Sequence, residues 1–262
     1  IFRVPVSSRF YKIVQGKFTA ENSGKKIAYI YVPDQASSDF AKSMIKFMKD
    51  EYGVDPVYEA QAGEKETDFR SFLLKAKAAN PDAIVLSGLV DETVRALKQS
   101  YEVGIPKSVA RVANSVASKV EVPTNAGKAA VGVTYAAAFA ASDKRPIAKK
   151  FVKKIKDKYG VVPGHDFSQM QDLLDMLRPA LEKAQLKFSG NLASDRNAVR
   201  DSIASITNFT GLASGPIGFC AAGSPECRDG NKTPVMIEYT KGGKNWKTKV
   251  AGTVTFNPSA GL

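Results

Sequence analysis

The sequence predicts an α/β fold built on parallel strands, and three observations carry that reading. Apolar, β-rich runs recur roughly every 20 to 30 residues, with an amphipathic helical pattern between consecutive runs. Glycines stand just past the helical stretches, at Gly53, Gly104 and Gly160. Strand, helix and strand at this spacing are the mark of right-handed crossovers in a parallel sheet. The chain has 262 residues, 44% hydrophobic and 24% charged, enough for one large core or two modest ones. A disordered tail and a disulfide miniprotein are both excluded.

Taken in order, KKIAYIYV (Lys25 to Val32) reads as a strand. The helix after it places Phe40, Met44, Phe47 and Met48 on one face. Asp55 to Gln61 is the second strand, and the next helix carries Phe69, Phe72, Leu73 and Ala76 in phase. Asp82 to Gly88 is the third strand, followed by a helix with Val90, Val94, Leu97 and Tyr101 inward. Ser108 to Asn114 and Ala129 to Ala136 are further strands. Ser37 or Ser38 and Thr67 supply N-caps.

The second half changes character. Pro146 to Gly160 is a basic amphipathic helix, with Ile147, Phe151, Ile155 and Tyr159 expected inward and lysines outward. Phe167 to Gln185 is a longer helix, in which Pro179 predicts a kink or break. Ser194 is expected to cap a helix running to Ile206. Near the end of the chain, two strand-like runs flank Gly242 and Gly243 and predict a hairpin.

Composition narrows the chemistry. The one histidine, His165, lies in a Pro-Gly loop; it rules out multi-histidine metal sites and reads as an ordinary solvated or capping residue. Phosphate-cradling glycine signatures are missing, so no nucleotide cofactor is expected. The longest nearly uncharged stretch, Ala129 to Ser142, is too short to span a bilayer, and no signal peptide is read. Cys220 and Cys227 flank a short turn-rich segment, and a local disulfide between them would place the protein in an oxidising compartment; two free thiols is the alternative. The net charge of +12 invites nucleic acid, but no reader motif accompanies the lysines, which read as a solvated basic face.

Ligands of open parallel sheets bind at the carboxyl ends of the strands. Those ends are polar here and carry Asp34, Asp91 and Glu92, which read first as helix-capping acids, with no nucleophile and base pair beside them.

The order FRVPVSSRF, KKIAYIYVPDQASSDFAKSM and AGEKETDFRSFLLKAKAANPDAIVLSGLVDETVRALKQSYEVGIP resembles the solute-binding proteins of branched-chain amino acid type ABC transporters. QDLLDMLRPALEKAQ, DRNAVRDSI and FTGLASGPIGF continue the likeness. The resemblance implies a two-lobed type I periplasmic-binding fold with lobe 1 incomplete. Residues 1–137 with 240–262 would form lobe 2, and 138–239 the C-terminal part of lobe 1. It implies ligand contacts at Gln35, Ala36, Leu89, Val90, Ala113, Asn114, Ser115, Phe167 and Gln171. Ala36-Ser37 replaces the family's usual aromatic-glycine pair, and Ala113 replaces a carboxylate that meets an amino-acid ammonium. The implied ligand class therefore widens from amino acids to amides and aromatic acids. The expected function is a non-enzymatic, extracytoplasmic, periplasmic receptor that needs no cofactor, binds no nucleic acid and hands a small molecule to a membrane permease. Two alternatives stand beside it: a cytoplasmic ligand-sensing regulator of the same fold, and an enzyme using Asp34, Asp91 and Glu92.

Overall fold

The computed structural model describes residues 2–6, 8–185, 191–213, 217–219 and 234–254; Cys220 and Cys227 lie outside them. Five strands run parallel: β1 (Ile27–Tyr31), β2 (Tyr58–Gln61), β3 (Ala83–Ser87), β4 (Ala110–Ala113) and β5 (Val133–Ala137). The hairpin β6 (Val235–Lys241) and β7 (Lys247–Thr253) adds to β5 in antiparallel sense. The sheet order is β2-β1-β3-β4-β5-β6-β7, so the chain winds outward from β1 to β2 and then reverses to β3.

Helices cover both faces, which explains why β1 and β3 are buried throughout rather than alternating. On one face Ala28, Ile30, Ile84 and Leu86 meet Leu73 of α3 (Arg70–Ala78), Leu97 of α4 (Val90–Glu102) and Val122 of α5 (Glu121–Ala126). On the other, Ile27, Tyr29 and Val85 meet Val14 of α1 (Ser8–Asn22) and Phe40, Met44 and Met48 of α2 (Gln35–Tyr52). Below them Phe151 and Ile155 of α6 (Pro146–Tyr159) form a smaller cluster with Phe139 and Leu212. Met176 of α7 (His165–Ala184) joins the α1/α2 core, and α8 (Leu192–Ala204) lies along α7, where Ser202 Oγ donates to the Ala180 carbonyl at 2.7 Å.

Several local expectations change. The helix α1 has no counterpart in the sequence reading. Asp34, in keeping with its reading as a capping acid, and neither Ser37 nor Ser38, caps α2: its Oδ1 accepts from the Ser37 N–H at 3.1 Å. Phe69 rather than Thr67 stands at the N-cap of α3, with no side-chain cap bond. Asn191, not Ser194, caps α8 and accepts from the Ser194 N–H. The helix α7 continues through Pro179. Tyr101, Ile147 and Tyr159, each in the first or last turn of its helix, are exposed. β6 crosses the 239/240 boundary expected from sequence, since Val235 already pairs with Ala137.

Candidate functional site

The parallel register aligns the strand ends. Tyr31 lies opposite both Gln61 and Ser87, and Leu86 opposite Ala113, so the loops after β1, β3 and β4 emerge along one edge. Between β1 and β3 the strand order reverses, and the crevice of an open α/β sheet opens at such a switch point. Side chains knot the loops together there. Ser87 Oγ donates to the Ser37 carbonyl at 2.9 Å, while Asn114 Nδ2 donates to Ser87 Oγ and to the Gly88 carbonyl, both at 3.1 Å. The helices α2 and α4 start at this edge, so the positive ends of their dipoles face it.

The expected ligand-contact residues divide into two groups. Gln35, Ala36 and Leu89 are exposed on the lip, Leu89 at 49%; Val90 and Ser115 are half-buried beside them. Ala113 and Asn114 are buried, and Asn114 spends its amide on the knot. Phe167 and Gln171 lie on α7, Phe167 exposed and Gln171 donating to Asp175 at 2.8 Å. Of the three strand-end acids, Asp34 is committed to capping, and Asp91 and Glu92 occupy the first turn of α4.

A second polar group, missed in the sequence, links α7 to the same edge. Lys119, after β4, pairs with Asp166 at 2.9 Å, and His165 Nε2 meets the other Asp166 oxygen at 2.9 Å. His165 is 7% exposed, not solvated, and its ring lies 5.9 Å from that of Tyr11. Gln169 Nε2 donates to the Tyr11 hydroxyl at 3.3 Å, and Gln15 Nε2 to the Ala113 carbonyl at 2.7 Å. The sequence did hold one signal: Gln15 sits beside Phe10, Val14 and Phe18, which recur every four residues. Burial raises the Tyr11 hydroxyl, opposed by its bond to Gln169. The His165 hydrogen bond, and behind it Lys119, hold the Asp166 carboxyl well below the usual carboxylate range.

A carboxyl depressed in the folded state stabilises above its unfolded pKa, near 4, and that contribution is lost as pH falls. We expect Asp166→Asn to flatten the acid limb of the stability profile below about pH 4. Urea midpoints measured against pH check this; parallel curves for the two proteins would contradict it.

A family model described as periplasmic binding protein matches residues 14–226. The chain belongs to the periplasmic binding protein family. Solved structures of similar fold include a leucine binding protein from Thermotoga maritima (23% identity, TM-score 0.75), which matches 95% of this chain and 67% of its own length. A solute binding protein from R. palustris in complex with benzoate (16%, TM-score 0.77) matches 96% and 64%. A branched-chain amino acid transporter substrate binding protein from Streptococcus pneumoniae in complex with isoleucine (22%, TM-score 0.74) matches 95% and 66%. This chain thus spans about two thirds of the length of these periplasmic binding proteins. The expected type I periplasmic-binding fold is the one found, with a mostly parallel sheet. Among the described residues, no helix is long and apolar enough to cross a membrane.

Proposed function

We propose that this chain supplies one complete lobe and part of a second in an extracytoplasmic receptor for a small polar or amphipathic solute. The observation that carries the reading is the switch point between β1 and β3, where Gln35, Ala36 and Leu89 line an exposed lip over a rigid hydrogen-bonded knot. In this reading residues 1–137 with the β6–β7 hairpin form the complete lobe, and the chain from residue 138 to the start of β6 belongs to the other. The helix α7 supports that division: Phe167, Met170, Leu174 and Leu181 recur along it and are all exposed, an apolar stripe on which a further lobe would pack.

The solute sits against Gln35, Ala36, Leu89 and Val90 and against Ser115, with Ala113 and Asn114 shaping the floor beneath. Phe167 and Gln171 close over it from α7. Closure is a hinge motion about residues 138–142, and only contacts made better in the closed state drive it. No step of the reading needs a cofactor or bond chemistry. The closed receptor delivers its solute to an ABC permease, as the family's transport role implies.

Calorimetry of the full-length protein against leucine, isoleucine, benzoate and 3,4-dihydroxybenzoate tests the reading. One member of the panel is expected to bind, and Leu89→Asp to weaken it at least tenfold with the melting temperature unchanged, because Leu89 is half exposed. Binding that ignores the substitution would remove the lip from the site, and heat from none of the four would refute the solute class.

A further inference from the structure

Away from the strand-end loops, α6 and the β6–β7 hairpin flank an open hollow of about 670 Å³, within the range of small-molecule sites. Its lining is of two kinds. Trp246, Val152, Val161 and Val162 supply an apolar floor, and Trp246 is fixed by an edge-on contact with Tyr239 at 5.9 Å. Lys156 from α6 and Lys244 and Lys247 from the hairpin, all exposed, line its walls. No carboxylate lines the cavity, and none of the three lysines takes part in an ion pair among the described residues. Two basic stretches some ninety residues apart in sequence are thus folded against one apolar hollow, with their like charges uncompensated.

We propose that this cavity is a second binding site, which takes an amphiphilic carboxylate with its apolar body on Trp246 and the valines and its head among the three lysines. An anion there relieves the mutual repulsion of the lysines, while their methylene stems extend the apolar wall. A cation of the same shape meets only the repulsion. None of the lip residues lines the site, whose walls come from both sides of the 138–142 segment.

Trp246 is the sole tryptophan of the chain, so its emission reports this cavity directly. In low salt at neutral pH, octanoate is expected to shift that emission saturably, and octylamine, with the same tail and opposite charge, to leave it unchanged. Lys244→Glu with Lys247→Glu is expected to weaken octanoate at least tenfold. Lys156→Gln, on α6, is expected to give a smaller loss in the same direction, and it decides the question should charge reversal disturb the hairpin. No saturable shift, an equal response to octylamine, or undiminished affinity in the variants would overturn the proposal, whatever the solute panel shows at the strand ends.

Discussion

Asp172→Ala is expected to lower stability by about 3 kcal/mol, the cost of stranding two buried backbone donors that now share one carboxylate. Asp172 on α7 is fully buried; its oxygens accept from the Leu212 N–H at 2.6 Å and the Ala213 N–H at 2.9 Å. Arg145 grips the same segment from the other side, donating to the carbonyls of Gly211 and Leu212. Leu212 belongs to the α6 cluster and Ala213 to the α1/α2 core, so the tie fixes α7 to a segment that both clusters share. In a chain of this size the loss amounts to roughly 6–12 °C in melting temperature. Asp172→Asn keeps one acceptor and should lose less. Denaturant titration of both variants decides it: equal losses, or a loss below about 1 kcal/mol for alanine, would mean the carboxylate is not the tie.

Gly242→Ala is expected to cost about 3 kcal/mol, for a reason its neighbour does not share. A Cβ on Gly242 would collide with the Gly127 carbonyl, and because both groups are backbone the hairpin would have to lift. That lift would strain the Gly243 N–H bond to the Pro123 carbonyl, 2.8 Å, which seats the turn against α5. Gly243 has open space around it but a φ of 82°, so Gly243→Ala should cost only about 1 kcal/mol of left-handed strain. Thermal unfolding of the two variants side by side separates the causes. Equal melting temperatures would show that the close approach is not what requires Gly242.

Much of the sheet was legible in the residues. Phe40, Met44, Phe47 and Met48 form the buried stripe of α2 as their spacing predicts, and Leu73 and Leu97 do the same for α3 and α4. The strand-end loops were legible too, because every parallel strand of a βα repeat ends at the same edge. Tyr101, Ile147 and Tyr159, near helix ends, went the other way: periodicity tells which residues share a face but not how much of that face the rest of the fold covers. The helix α1 escaped notice because Gln15 and Thr19, both fully buried, interrupt its apolar pattern with polar side chains.

The sequence by itself determined the α/β alternation, the parallel pairing that follows from it, and the set of polar loops from which a site is drawn. Each of these rests on patterns a few residues long, which act within a single element. Only the tertiary structure decided that the strand order reverses between β1 and β3, that Tyr11 meets His165 and Gln169 while Gln15 reaches the Ala113 carbonyl, that Asp172 holds Leu212, and that Lys156, Lys244 and Lys247 line one hollow. These pairings join residues far apart in sequence, and no local pattern encodes them. They follow from how the helices settle on the sheet once both of its faces are buried.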